Sequence, residues 1–371
     1  MTATAPGGFG LAVRLPLLVL GFASLVLGVG SGLARAGFGV PLPDPGLPAW
    51  HGALMVGGFF GTVISLERAV ALGTRSAYAA PLLAGAGGLA LNAVATPAPA
   101  QWLLAAAGVL LAIESSAICA RQRALFTFTL ALGAASWAIG NAAWLAGASF
   151  GAVAPWWIAF LVLTIAGERL ELTRLLPPSP ARERLFAGIV VGVLAGAALA
   201  LLDGEGGRRI LGIALLALAA WLGVQDIARR TAREPGLTGY IGRCLLAGYV
   251  WLAIGGALLA GPGATYGGFG WDAAVHAILL GFVFSMVFGH APLIVPAIAR
   301  TNVPYHWSFY VPLVLLHLSI AVRVSGDVAG LVLFSMSGAV LNAIAIVVFV
   351  ASTLTAVVRG RRAAGEPRAQ A

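Results

Sequence analysis

Residues 272–298 read DAAVHAILLGFVFSMVFGHAPLIVPAI, an apolar run in which Asp272 is the single charged side chain. A helix of this length covers about 40 Å, which exceeds the roughly 30 Å hydrocarbon core of a bilayer. The run also contains His276 and His290. An imidazole in hydrocarbon is costly without a partner, so each is a candidate site residue. The stretch therefore predicts a membrane-spanning helix that carries part of a functional site.

The remainder of the chain has the same character. Its 371 residues are 60% hydrophobic and 9% charged, with a mean hydropathy of +0.96, whereas soluble domains carry about 25% charged residues. We therefore predict a single integral membrane domain over residues 1–371. All 22 basic residues are arginines, and the formal net charge is +9. Because the arginines flank apolar runs, the excess indicates membrane topology and does not indicate nucleic-acid binding.

Apolar runs of about 20 residues predict an all-α bundle of about twelve transmembrane helices. The predicted helices cover residues 14–34, 50–72, 78–96, 101–120, 125–147, 153–174, 184–202, 209–228, 240–260, 272–298, 305–323 and 328–357. With the N-terminus inside, 18 of the 22 arginines lie in inner segments. The four in outer segments are Arg35, Arg208, Arg209 and Arg323. This asymmetry predicts cytoplasmic N- and C-termini. Trp144, Trp156 and Trp157 fall near outer ends, as an interfacial aromatic belt would.

All five histidines lie in or at the edge of these predicted helices. His290 follows His276 by 14 residues, about 21 Å deeper and on nearly the same helix face. His317 follows His306 by 11 residues, about 16 Å in the outward direction and again on nearly the same face. His51 begins the second predicted helix at its outer end. The spacing therefore predicts an outer layer of His51, His276 and His317 and an inner layer of His290 and His306.

Two methionines lie one helical turn from a histidine. His51 and Met55, and likewise Met286 and His290, are four residues apart and so share a helix face. Imidazole with thioether is a ligand set that suits copper(I) and also haem iron. Simple packing of the methionines, and histidines bonded to neighbouring backbone carbonyls, are the alternatives. Asp272, one turn before His276, is expected to serve the first turn of its helix; orientation of the imidazole is the second interpretation.

At PAWHGALMVGGF and HAILLGFVFSMVFGH the chain resembles the NnrS family of polytopic haem- and copper-binding membrane proteins. More distantly, it is similar to the catalytic subunit of haem–copper oxidases. The resemblance implies b-type haem, with copper as a further candidate cofactor, and a small diatomic ligand such as nitric oxide. It also implies a bacterial inner membrane and a role in nitrosative-stress or denitrification metabolism. By position, His51 and His276 match the axial haem ligands of the oxidases.

We assign the candidate residues to two centres. His51, His276, His317 and Met55 are predicted to bind the cofactor, and His290, His306 and Met286 are predicted to bind a metal. The sixth and seventh predicted helices contain no histidine, so an oxidase-type copper site and proton-pumping oxygen reduction are not expected. A membrane oxidoreductase acting on nitric oxide is the candidate enzyme, with no electron donor identified.

A copper or proton-coupled solute transporter is the main rival. Twelve helices, the intramembrane Glu114 and the His–Met pairs are compatible with it. Discontinuous helices would favour it, since transporters bind substrates at broken segments. Pro292 and Pro296 could mark such a break, or simply the end of a helix. An assembly partner of a respiratory complex ranks last, because the chain has no extended soluble segment for docking.

Overall fold

The structure is a computed structural model that describes residues 8–93, 96–172 and 179–365. Within these ranges the chain folds into helices and has no strands, because a helix satisfies its backbone hydrogen bonds without water. In chain order the long helices are α1 (Leu11–Arg35), α2 (Leu47–Leu72), α3 (Ala79–Ala93), α4 (Ala98–Arg121), α5 (Leu125–Leu145), α6 (Phe150–Leu172), α7 (Pro180–Leu199), α8 (Gly204–Gln225), α9 (Gly236–Ala260), α10 (Phe269–Ala299), α11 (Trp307–Ala329) and α12 (Val332–Gly365).

Ten of these helices, all except α3 and α7, are long and apolar enough to cross a membrane. α3 has only 15 residues, and α7 carries Arg182, Glu183 and Arg184 in its first turns. The prediction of an all-α fold is confirmed for the described residues, and these ten candidate spans agree with a multi-pass membrane protein. Each predicted segment overlaps a helix, although the ends differ by several residues.

The outer surface of the bundle is apolar. Side chains such as Val26 and Leu333 are 70% and 76% exposed, which would be unfavourable over so large an area in water. Inside the bundle, small residues bring helices together. A Cβ built on Gly256 of α9 would lie 2.8 Å from the backbone nitrogen of Leu216 in α8. Such close backbone approach is typical of helices that pack in lipid.

Two predicted helix ends were wrong. α1 begins at Leu11, three residues before the predicted start, so Arg14 is buried inside it, and α11 continues to Ala329 instead of ending at residue 323, so Arg323 lies within it. Arg14 is stabilised there because its Nε donates to the Phe9 carbonyl and the Tyr78 hydroxyl. These two hydrogen bonds offset part of the cost of burying the Arg14 charge, although its Nη1 has no partner among the described residues.

The predicted aromatic belt is also wrong in part. Trp144, Trp156 and Trp157 are all at most 7% exposed and pack inside the bundle. Trp157 donates its indole N–H to the side-chain oxygen of Asn141, so its polar atom needs no interface. Pro292 and Pro296 lie inside α10, which continues to Ala299. α10 therefore has neither a break nor an end at these prolines.

Candidate functional site

One cavity lies between α1, α2, α6, α10, α11 and α12. His51 and His276 both line it, together with aromatic and aliphatic side chains such as Trp157. Its polar lining includes Asp272, Arg35, Arg323, Asn342 and Tyr266. The cavity has a volume of about 180 Å³. The cavity is therefore an apolar cleft with two imidazoles and a few charged groups.

The two histidine rings lie close together in this cavity. The ring centroids of His51 and His276 are 6.3 Å apart, and their planes are inclined by 21°. His51 enters from α2 and His276 from α10, so two segments separated by more than 200 residues meet here. The expectation that these two side chains converge from separate helices describes the geometry found.

Each imidazole is fixed through its Nδ1 atom. Nδ1 of His51 lies 2.7 Å from the Gly28 carbonyl oxygen, and Nδ1 of His276 lies 2.8 Å from the Asp272 carbonyl oxygen. A carbonyl oxygen can only accept, so Nδ1 is the donor in both rings. Nε2 then keeps its lone pair. Metal-ligating histidines show this arrangement, in which the second nitrogen is held by an oxygen acceptor.

Both histidine helices widen directly after the histidine. Residues Leu54–Phe60, which follow His51 by one turn, and Ala277–Phe284, which follow His276 at once, form π-helical turns. The two wide segments contact each other through a phenylalanine pair with ring centroids 5.3 Å apart. Long π segments are rare and occur often at functional sites. Here each lies directly beside a histidine of the cavity.

α1 provides the surface against which His51 rests. A Cβ built on Gly32 would lie 2.8 Å from Cε1 and 3.0 Å from Nδ1 of His51. One built on Gly28 would lie 2.6 Å from the Met55 sulfur. The two glycines are four residues apart and share a face. This face of α1 is therefore a groove, and the His51 and Met55 side chains pack directly onto its backbone.

Asp272 joins His276 to a buried arginine. One carboxylate oxygen of Asp272 lies 3.2 Å from Nδ1 of His276. The same oxygen accepts from Nε and Nη2 of Arg323 at 3.2 and 2.9 Å. Asp272 also lies in the first turn of its helix, as expected, where a carboxylate is favourable. Its contacts with His276 and Arg323 favour the orienting role as well, which was the second interpretation.

Replacement of Asp272 by Asn should destabilise the protein. Arg323 is 13% exposed and would lose its anionic partner, so we expect a loss of about 2 kcal/mol, because an unpaired buried charge is costly. Thermal unfolding in detergent measures this. Glu205→Gln is the matched control, since it removes the carboxylate of an exposed pair with Arg209, and exposed pairs contribute little to stability. Equal melting temperatures for wild type and Asp272→Asn would contradict the prediction.

The two other outer-layer candidates, Met55 and His317, lie in different surroundings. Met55 lines the cavity beside His51. His317 is not part of the lining, and its Nδ1 accepts a hydrogen bond of 2.9 Å from the Trp251 indole. An Nδ1 that accepts leaves the proton of the neutral ring on Nε2. That nitrogen is buried and has no hydrogen-bond partner among the described residues. His317 therefore lacks the free lone pair that His51 and His276 keep.

The structure does not bring the inner-layer candidates together. His290 is bonded through Nδ1 to the Met286 carbonyl at 2.7 Å, and the Met286 side chain packs against Gly248 of α9. His306 precedes α11, where its Nδ1 accepts from the backbone N–H of Ser308. Across the described ranges, no hydrogen bond, ion pair or ring contact joins His290 to His306. His306 caps a helix, and Met286 fills a helix interface.

Sequence reasoning missed four residues of this site. Gly28 and Gly32 have the G-x-x-x-G spacing of close helix contacts, a signal that was present but not used. Arg35 and Arg323 were treated as markers of the outer membrane surface, although both line the cavity. A count of arginines on each side of a membrane does not indicate which guanidinium group points into the helix bundle.

A sequence model of one protein family, described as "Domain of unknown function (DUF8744)", matches residues 14–358. None of the curated proteins compared with the chain matches it. The match includes every helix that lines the cavity.

Proposed function

The chain belongs to the family described as a domain of unknown function (DUF8744), and we propose that this membrane protein binds haem and interacts with nitric oxide or a related diatomic ligand. The observation that carries the proposal is the pair His51 and His276, with ring centroids 6.3 Å apart and both Nδ1 atoms held by oxygen acceptors. The resemblance to the NnrS family around these two histidines supports it.

The spacing of the rings suits a single metal atom between them. A metal–nitrogen bond is about 2 Å, and each ring centroid lies roughly 1 Å behind its nitrogen, so two axial imidazoles require centroids about 6 Å apart. Among the described residues, no three His, Cys, Asp or Glu side chains form a metal-binding group. Two imidazoles suffice for haem, because the porphyrin itself supplies four nitrogen ligands.

The cavity also suits the outer groups of a haem. Its volume, about 180 Å³, is smaller than a whole porphyrin, so a bound haem would extend beyond the cavity. Arg35, in the last turn of α1, and Arg323 lie on the cavity wall. Guanidinium groups pair well with carboxylates. Arg35 forms no ion pair with another described residue, which leaves it free to neutralise a haem propionate.

The two imidazoles are unequal donors. His276 has a carboxylate near Nδ1, whereas His51 has only a carbonyl. A carboxylate partner raises the basicity of a ligating imidazole, so His276 is the stronger axial donor and His51 the weaker. Bound haem would supply iron, but with both imidazoles bound a diatomic ligand could reach that iron only in place of one of them, and His51, the weaker donor, would be the one replaced. The apolar cavity wall admits an uncharged gas and excludes ionic competitors.

Copper is the second candidate, on the specific observation that Met55 lines the cavity beside His51. Two imidazoles and a thioether form a soft ligand set for copper(I). A copper ion does not need a large cavity. Copper binding predicts a protein without haem absorption that retains one copper per chain and loses it on Met55→Ala. Haem remains the first proposal because the cavity is larger than a copper ion needs and because a copper ion would not pair with the Arg35 guanidinium.

We further propose that all twelve helices, including α3 and α7, cross a bacterial inner membrane and that both termini are cytoplasmic. The excess of arginine on one side supports this topology. A green fluorescent protein fused after residue 371 should fluoresce, and alkaline phosphatase at the same position should be inactive. Phosphatase placed after Leu202, between α7 and α8, should be active. Active phosphatase after residue 371, or inactive phosphatase after Leu202, would contradict the topology.

The proposed function is tested by absorption spectroscopy of protein purified from cells with ample haem supply. We expect a haem spectrum with about one haem per chain, which nitric oxide shifts after anaerobic reduction. A haem spectrum that nitric oxide leaves unchanged would contradict the diatomic-ligand part of the proposal.

A further inference from the structure

A second polar cavity lies at the opposite end of α8 from the histidine cavity. Arg208, near the start of α8, stacks over Trp271 of the histidine cavity at 5.7 Å. α8 is about 33 Å long, and its last residues, with the short helix Ala228–Thr231, form the second cavity. This cavity measures about 380 Å³. Its arginines are Arg182, Arg229, Arg230 and Arg233.

The charge of this cavity is unbalanced. Arg229, Arg230 and Arg233 are exposed and form no ion pair with another residue of the described ranges. Asp226 is the acidic residue in the wall, but its carboxylate is already engaged. One oxygen accepts from the Tyr249 hydroxyl at 2.6 Å and the other from a backbone N–H at 2.8 Å. The Asp226 charge is balanced by Arg169, whose Nε lies 3.9 Å from the carboxylate. The cavity therefore presents several guanidinium groups without a counter-ion.

Guanidinium clusters of this kind recognise phosphate. Arginine offers a planar set of donors that matches phosphate oxygens in bidentate fashion. The cavity volume exceeds that of one phosphate, so a phosphodiester with a substituent also fits. Neutral or cationic ligands would leave the guanidinium charges uncompensated.

The surface next to the cavity points to a lipid. Val224 lines the cavity and is 62% exposed. Ile213 and Leu216 are exposed on the same helix, and their spacing with Ala220 and Val224 places all four on one face of α8. An apolar stripe, suited to an acyl chain, thus leads along α8 to the arginine cavity. Basic pockets beside membrane helices bind anionic lipid headgroups.

We propose that this cavity binds the phosphodiester of an anionic phospholipid, with Arg229, Arg230 and Arg233 as its ligands and the exposed stripe of α8 under one acyl chain. The proposal does not depend on haem or on the histidine cavity.

The test is isothermal titration calorimetry of the full chain in detergent. Three probes are used: a short-chain phosphatidylglycerol, the matching phosphatidylcholine and inorganic phosphate. The cavity variant is Arg229→Gln/Arg230→Gln/Arg233→Gln. The matched control, Arg359→Gln/Arg361→Gln/Arg362→Gln, removes the same charge from exposed positions at the end of α12.

Wild type and control should bind phosphatidylglycerol at least tenfold more tightly than the cavity variant does, and phosphatidylcholine should not bind at this site. Inorganic phosphate should bind at least tenfold more weakly than phosphatidylglycerol. Equal affinity for inorganic phosphate, with the same dependence on the three arginines, would keep the phosphate site but overturn the lipid headgroup. Equal phosphatidylglycerol affinity in all three proteins, or equal loss in both variants, would overturn the site itself. Single Arg→Gln variants at the same positions serve if the triple variant does not fold.

Discussion

His51→Ala and His276→Ala should each lower the haem content of the purified protein at least tenfold. Each substitution removes one of the two imidazoles whose centroids lie 6.3 Å apart and leaves a single axial donor. The measurement is the ratio of haem, assayed as the pyridine haemochrome, to protein. Glycine at either position, with imidazole added to the growth medium, should restore part of the haem because the free base can occupy the space of the lost ring.

The control for these variants is His306→Asn. His306 caps a helix through its Nδ1 atom, and asparagine is a favoured residue at such caps. This variant should keep its haem within a factor of two. If His51→Ala and His276→Ala retain as much haem as His306→Asn, these two imidazoles are not the ligands.

Gly32→Ala should weaken cofactor binding without any change to a ligand. The added methyl group would lie 2.8 Å from Cε1 of His51, so the imidazole must leave the position in which it bonds the Gly28 carbonyl. Overpacking of this kind costs about 1–3 kcal/mol, which corresponds to a roughly 5- to 140-fold loss of affinity. Haem retained after size-exclusion chromatography, together with titration of added haem, measures the effect.

Two further glycine variants make this prediction specific. Gly223→Ala in α8 places a methyl group where nothing lies within 4 Å and should leave haem binding unchanged. Gly28→Ala would contact the sulfur of Met55, a flexible side chain that can move away, so its effect should be smaller than that of Gly32→Ala. An effect of Gly28→Ala equal to or larger than that of Gly32→Ala would mean that His51 is not held as described.

The sequence was informative where a single physical rule decides the outcome. Long apolar runs predicted the helices, because hydrocarbon leaves the backbone no other regular structure. The position of His51 and of His276 near the same end of their helices followed from counting residues. Their convergence also agreed with expectation, since a buried imidazole needs a partner.

Other features depend on packing, which a sequence of nearly uniform hydrophobicity does not reveal. His290 was expected on the face of His276, 14 residues away, by the 100° rotation of an α-helix. The π-helical segment Ala277–Phe284 contains more residues per turn, so the rule fails across it. His317 lost its predicted role because Trp251, 66 residues away, donates to its Nδ1. Neither the π-helical segment nor the Trp251–His317 hydrogen bond can be recognised from the neighbouring residues in the sequence.

The most direct test of the central claim is low-temperature electron paramagnetic resonance of the oxidised protein. If His51 and His276 share one haem iron, wild-type protein should give a low-spin ferric signal. Replacement of either histidine by alanine should abolish that signal or convert it to high spin. A wild-type protein without a haem signal, or a low-spin signal that survives both substitutions, would contradict the account.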